Sequence, residues 1–156
     1  MQRTEVPEVA EVLAVQTAVV QVAHHIDGRR WPSLRQLFLD TVQTDYTSLF
    51  GGTVVEQPAD DLIGGWQKIF AFLDATQHLL GPIEVVVRQT DAVAECHVSA
   101  YHRASRAASG HDWTVAGHYV FGLRKTAAGW KVRSLKLETY YQKGNLKLLA
   151  EASGGS

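Results

Sequence analysis

The feature that most constrains the fold is a change in the spacing of apolar residues near Thr76. Before that point apolar side chains recur every three or four residues, which is the spacing of amphipathic helices. After it they alternate with polar side chains, which is typical of strands that bury one face. Helices followed by antiparallel strands predict an α+β domain, with the helices on one side of a curved sheet that closes into a cone.

Three N-terminal helices are predicted. The first spans residues 7–27 and carries an apolar stripe that ends on Asp27, with Gly28 suited to the left-handed residue that closes a helix. The second is the segment WPSLRQLF, and the third begins near Pro58. The stripe of the first helix consists of Val9, Leu13, Gln16, Val20, Ala23 and Asp27.

The predicted strands begin with TVQTDYTSLF, which lies between the second and third helices. Four longer runs follow and are separated by turn residues: HLLGPIEVVVRQT, AVAECHVSAYHRAS, WTVAGHYVFGLRKT and GWKVRSLKLETYY. The stretch YYQKGNLKLLAE predicts a short C-terminal helix that could close the mouth of the cone. Residues 1–156 are expected to form one domain, with an ordered core from about residue 8 to about residue 149.

Composition argues against several classes of function. The formal net charge is −1 and no basic run stands out, whereas nucleic-acid binding needs clustered Lys and Arg. No apolar stretch is expected to reach the roughly 18 residues of a membrane span, and the acidic N-terminus is not expected to be a secretory signal. A single cysteine, Cys96, excludes an internal disulfide and a cysteine-based zinc site. We therefore expect a cytoplasmic protein without nucleic-acid or membrane partners.

Strand parity predicts which polar side chains face the interior. In the second long run, one face carries His102 behind a row of small apolar residues, including Ala94 and Ala100. In the next run, the more apolar face carries Tyr119 and Phe121. Because the row beside His102 is built from small side chains, it predicts a pocket in place of a filled core.

Four polar residues from separate segments are candidates for this pocket: Asp27, Tyr46, His78 and His102. Each also has an ordinary structural interpretation. An acid at the end of a helix is usually solvated, a single inward histidine is often a hydrogen-bonded core residue, and a tyrosine commonly packs in the core with its hydroxyl at the edge. The remaining histidines have no spacing that supports a metal site.

The segments HHID, RRWPSLRQLF, TDYTSL, TQHLLG, AYHRAS and GWKV, in this order, resemble the NTF2-like superfamily and its SnoaL-like branch around scytalone dehydratase. The similarity spans about residues 8–142. It implies that Asp27, His78, His102 and Tyr46 carry the chemistry. Two positions depart from the family pattern: Ile26 stands where a tyrosine precedes the aspartate, and the polar pair of the following strand falls near Gly117 and Tyr119.

The resemblance implies a lyase that eliminates water by His/Asp acid–base catalysis, with no cofactor and no metal. His78 would be the general base, Asp27 would orient an imidazole, His102 would be the second acid or base, and Tyr46 would bind the substrate carbonyl. Which histidine pairs with Asp27 stays open. A flat, largely apolar small-molecule substrate is expected from the predicted lining: Trp66, Phe70, Leu73, Val98, Tyr119 and Phe121.

Two other functions remain open at this point. One is a ketosteroid-isomerase-like isomerase or a polyketide cyclase on the same cone, and the other is a non-catalytic module that binds a small ligand. The outer sheet face carries Tyr101, His118 and Val120, a partly apolar set that predicts a homodimer or homotrimer.

Overall fold

A computed structural model describes residues 8–154. These residues form five helices and seven strands. The strands make one curved mixed sheet, and helices cover one face of it. In chain order the elements are α1 (Val9–Asp27), α2 (Trp31–Arg35), β1 (Phe38–Asp45), α3 (Thr47–Phe50), β2 (Val55–Pro58), α4 (Ala59–Phe70), β3 (Ala75–Leu80), β4 (Glu84–Arg88), β5 (Asp91–Arg103), β6 (Asp112–Thr126), β7 (Gly129–Gly144) and α5 (Leu148–Ala152). The α+β class predicted from the spacing change is therefore confirmed.

The strand order is β2-β1-β7-β6-β5-β3, and β4 also pairs with β5. All pairings are antiparallel except that of β1 with β7. The long strands β5, β6 and β7 form the centre of the sheet. Opposite Ala116 and Gly117 of β6, strand β7 contains a bulge with Tyr140 as the extra residue. Glycine is required at position 117, because a Cβ atom there would collide with the backbone carbonyl of Glu138.

The number of N-terminal helices differs from the prediction. Four helices, not three, precede β3, because the segment predicted as a strand over residues 41–50 ends at Asp45 and its last residues form the single-turn helix α3. Tyr46 is therefore the N-cap residue of α3. The run predicted as one strand over residues 78–90 is divided between β3 and β4, because Pro82 lacks the N–H that a continuous ladder would need.

The buried stripe of α1 was predicted in the wrong phase. Val9 and Leu13 are exposed, while the buried stripe contains Val15, Val19 and Ile26. Valines lie on several sides of this helix, so two different stripes fit the helical spacing equally well. The expectation about membrane spans also needs correction, because the 19-residue α1 is long and apolar enough to pass that test. Helix α1 packs against β3, β4, β5 and β7, and this packing also accounts for its apolar composition.

The interior row of β5 agrees with the parity prediction. Ala94, Cys96, Val98, Ala100 and His102 are all buried. Strand β3 pairs with β5 so that His78 lies opposite Ala100 and Thr76 lies opposite His102. This register brings the two histidines onto neighbouring strands, on the same face, directly under the helices.

Candidate active site

A cavity of about 340 Å³ lies between the sheet and the helices. His78 and His102 line it at one side, and Tyr46 lies at its wall where α3 begins. Most of the remaining lining is apolar, including Trp66 and Phe70 of α4. Three of the four predicted polar residues therefore share one cavity, while the fourth, Asp27, lies behind His78 outside the lining.

Asp27 and His78 form the best-connected polar pair of the site. Asp27 Oδ1 lies 2.7 Å from His78 Nδ1, and Asp27 Oδ2 accepts a 2.8 Å hydrogen bond from the His78 backbone N–H. Thr76 Oγ1 donates a further hydrogen bond of 2.9 Å to Asp27 Oδ1. Burial of the carboxyl group raises its pKa, but the hydrogen bonds and charge of His78, with the Thr76 bond, outweigh this effect and lower the pKa of Asp27.

This contact determines the tautomer of neutral His78. A carboxylate can only accept hydrogen bonds, so the proton of neutral His78 resides on Nδ1. Nε2 then carries a lone pair. The same carboxylate stabilises the ring after Nε2 has taken up a proton, as the buried aspartate does in a catalytic triad. The structure thus assigns the partner of Asp27 to His78, a choice that the sequence left open.

His102 is held in a different environment. Its ring lies 4.5 Å from the Trp113 ring and 5.9 Å from the His78 ring, measured between centroids. Nδ1 lies 3.3 Å from the Trp113 carbonyl oxygen, which can only accept, so Nδ1 carries the proton. Burial, together with the neighbouring His78, lowers the pKa of His102 to about 4. His102 is therefore neutral at pH 7, a state that favours a role as base or hydrogen-bond acceptor over a role as acid for the leaving group.

The neutral state of His102 predicts a pH-dependent stability. Its pKa is about 4 in the folded chain against 6.5 ordinarily, so between these values the unfolded state binds more protons. The stabilisation is complete above pH 6.5 and is lost as the pH falls to about 4. This amounts to roughly 3 kcal/mol. In His102→Leu, the free energy of unfolding measured in urea should depend less on pH between 4 and 6.5 than it does in the wild type. The control His111→Leu replaces an exposed histidine and should keep the wild-type pH dependence. The same pH dependence in both variants would contradict a buried neutral His102.

Tyr46 and Tyr119 supply phenol groups to the cavity wall. Burial raises the pKa of both hydroxyls, so both remain protonated and able to donate a hydrogen bond at neutral pH. Tyr119 extends from β6 beside Phe121, with ring centroids 5.4 Å apart. The parity argument placed Tyr119 on this face, and the structure places it in the cavity.

A SnoaL-like domain matches residues 7–136 of the sequence. The chain belongs to this family. A "Scytalone dehydratase-like protein" of Claviceps purpurea (strain 20.1) is 26% identical over 157 residues, covering 95% of this chain and 99% of the relative. The crystal structure of the Kfla4162 protein from Kribbella flavida superposes with a TM-score of 0.84 at 24% identity, covering 90% of this chain and 97% of that one. The superposition on the Kribbella flavida structure shows that the two proteins share a fold.

The lining of this SnoaL-like domain corrects two substrate-binding predictions. Trp66, Phe70, Tyr119 and Phe121 line the cavity, but Leu73 and Val98 do not. Both instead belong to a second apolar cluster beneath α5. Parity places Val98 on the interior face, yet it cannot show which part of that face is covered by packed side chains.

Sequence reasoning missed two parts of the site. Thr76 was not singled out, although it shares a strand face with His78 two residues later, which is the signal that could have identified it. The C-terminal helix was predicted over a stretch whose first residues, Tyr140 and Tyr141, lie in β7. The helix itself is α5, and its Leu149 lines the cavity.

Within residues 8–154 of the SnoaL-like domain, no three His, Cys, Asp or Glu side chains are arranged to hold a metal ion. On the outer sheet face, His97 and His118 have ring centroids 5.6 Å apart, and His118 Nε2 lies 3.8 Å from Glu95 Oε2. These two histidines point away from the cavity, and for His118 this position was predicted from strand parity.

Proposed function

We propose that this SnoaL-like protein is a lyase that removes water from a small, uncharged, largely apolar cyclic carbonyl compound without a cofactor. The observation that carries the proposal is the 2.7 Å contact between Asp27 Oδ1 and His78 Nδ1, at the wall of a mostly apolar cavity. This pair can take up and return one proton while a neutral substrate lies against it.

The proposed reaction begins when His78 Nε2 removes a proton from the carbon next to the substrate carbonyl. The electron pair of the broken C–H bond forms the C=C bond of an enolate, and the π electrons of the carbonyl move to its oxygen, where the Tyr46 hydroxyl donates a hydrogen bond to the developing negative charge. The enolate then re-forms the carbonyl and a C=C bond while the C–O bond to the leaving hydroxyl breaks. The imidazolium of His78 returns its proton to that hydroxyl, which leaves as water.

His78 is proposed to serve as both base and acid, because neutral His102 has no proton available for the leaving hydroxyl. His102 is neutral at pH 7 and its Nδ1–H is directed at the Trp113 carbonyl. Its Nε2 lone pair can accept a hydrogen bond from a substrate hydroxyl. His102 is therefore proposed to orient the substrate.

The isomerase alternative has less support from the geometry. An isomerase of the ketosteroid type uses a carboxylate as the base, and such a base works best with a raised pKa. The pKa of Asp27 is instead lowered, and its two oxygens are occupied by Thr76 and His78. Asp27 is better suited to orient an imidazole than to remove a proton itself.

Product analysis tests the proposal. Purified protein is incubated with a panel of uncharged cyclic β-hydroxyketones, and the products are separated and identified by mass spectrometry. We expect loss of one water and a new conjugated carbonyl from at least one compound. Isomerised or cyclised products of unchanged composition would replace the proposal with the isomerase or cyclase, and saturable binding without turnover of the panel would favour the binding module.

Replacing Tyr46 tests the carbonyl-binding step. Tyr46→Phe keeps the ring that packs beside Phe50 but removes the donor, so kcat should fall about 10²-fold while KM changes little. The matched control is Tyr140→Phe, because Tyr140 is exposed on the outer face of β7. Steady-state kinetics decide the outcome, and a Tyr46→Phe enzyme as fast as the control would exclude Tyr46 from the reaction.

We further propose that the protein acts in the cytoplasm as a homodimer or homotrimer. The support is the partly apolar outer sheet face, where Leu79, Tyr140 and Tyr141 are exposed around His97. Association through this face would leave the cavity on the opposite face of the sheet accessible.

A further inference from the structure

In the turn after α1, Arg29 has a positive φ, a backbone conformation that glycine adopts more easily than other residues. Gly28 follows the helix, and the sequence predicted that it would be the left-handed residue. Gly28 instead has φ −82°, and Arg29 has φ +54°. Arg29 is therefore the left-handed residue of a Schellman motif, in which the Arg29 N–H donates to the Ile26 carbonyl oxygen (3.1 Å) and the Arg30 N–H donates to the His25 carbonyl oxygen (2.8 Å).

The Arg29 guanidinium group makes two hydrogen bonds and one contact with an aromatic ring. Nη1 donates hydrogen bonds of 2.8 Å to the Ile26 carbonyl oxygen and 2.8 Å to Thr76 Oγ1. The guanidinium carbon also lies 5.1 Å from the centroid of the Phe70 ring, which lines the cavity. The positive φ turns the side chain back past the end of α1 toward β3, where the candidate catalytic pair lies.

The two hydrogen bonds that connect Arg29 to Asp27 through the Thr76 hydroxyl have a fixed direction. The Asp27 carboxylate can only accept, so the Thr76 hydroxyl donates its single proton to Asp27 Oδ1. Its lone pairs are then available to Arg29 Nη1, which can only donate. The order is therefore Arg29 to Thr76 to Asp27, and the carboxylate contacts His78 at the end of this relay.

We propose that Arg29 and Thr76 are positioning residues for His78. The relay holds the Asp27 carboxylate against the imidazole, and the charge of Arg29 limits how strongly that carboxylate stabilises a protonated ring. The ionisable groups facing His78 are Asp27 and Arg29 at the end of α1 and His102 of β5, with the phenols of Tyr46 and Tyr119 on the same cavity. The catalytic purpose of the relay rests on the proposed function, whereas its effect on the His78 ring does not.

The test uses ¹⁵N NMR of the histidine rings as a function of pH, which needs no substrate. Arg29→Met removes the charge and both hydrogen bonds, and Thr76→Val removes the hydroxyl with little change of shape. Both variants should move the midpoint of the His78 ring titration to higher pH, because Asp27 then directs more of its charge to the imidazolium. Thr76→Ser keeps the hydroxyl and should restore the wild-type midpoint.

Arg30→Met is the matched control, because Arg30 is exposed and its Nη2 contacts only the His24 carbonyl oxygen at 3.1 Å. Its His78 signals should coincide with those of the wild type. An unchanged or lowered midpoint in folded Arg29→Met and Thr76→Val proteins would overturn the proposal, and if Arg29→Met does not fold, the Thr76→Val and Thr76→Ser pair decides alone. Failure of the substrate panel would overturn the lyase proposal and leave this result standing.

Discussion

His78→Ala is expected to lower kcat/KM by about 10²- to 10⁴-fold, which is the usual contribution of a positioned acid or base. The imidazole is the only group in the proposed reaction that moves the substrate proton. The fold should survive this change, because the backbone N–H of residue 78 and the Thr76 hydroxyl still donate to Asp27. Steady-state kinetics on a compound identified from the panel measure the loss.

The matched control for this variant is His111→Ala. His111 is an exposed histidine directly before β6, and it lines neither the cavity nor the outer sheet face proposed for association. Its removal should leave kcat/KM unchanged. If the folded His78→Ala protein matched this control in turnover, the proposed mechanism would be wrong.

Asp27→Asn is expected to cause a loss of about 10²-fold or more in kcat/KM, with nearly unchanged packing. An amide has one accepting oxygen and one donating nitrogen. If the oxygen keeps the bond to the His78 backbone N–H, the NH₂ group faces His78 Nδ1. Neutral His78 must then carry its proton on Nε2, so the lone pair needed to remove a substrate proton is no longer available.

Asp61→Asn is a suitable control, since Asp61 is an exposed carboxylate on α4. It tests whether the loss of one negative charge alone affects turnover. A kcat/KM of Asp27→Asn equal to that of Asp61→Asn would show that the contact between Asp27 and His78 is not used in the reaction.

Much of the site could be predicted because strands have a strict alternation of faces. Once residues 94–102 are taken as a strand, burying the small residues Ala94 and Ala100 forces His102 inward. Tyr46 was expected inward for a reason that is only partly correct, because it follows the strand as the N-cap of α3. Asp27 was placed by its position at the end of a helix, although the stripe used to place it was out of phase.

The remaining features depend on distances between segments, which no local pattern contains. Spacing could not decide between His78 and His102 as the partner of Asp27, since both face inward on neighbouring strands. The state of His102 follows from burial and from its packing against Trp113, so a preference between its two expected roles, acid or base, could come only from the structure. The left-handed residue after α1 is Arg29 and not the neighbouring Gly28, and the position of its guanidinium group is likewise set by tertiary contacts with Thr76 and Phe70.

The most direct test of the central claim is a histidine-ring ¹⁵N spectrum of wild type and Asp27→Asn, recorded across a pH series. We expect neutral His78 of the wild type to carry its proton on Nδ1, and the variant to carry it on Nε2 with a titration midpoint at lower pH. His102 should stay neutral down to about pH 4 in the wild type. Identical His78 spectra in the two proteins would contradict the account and favour a ligand-binding module without acid–base chemistry.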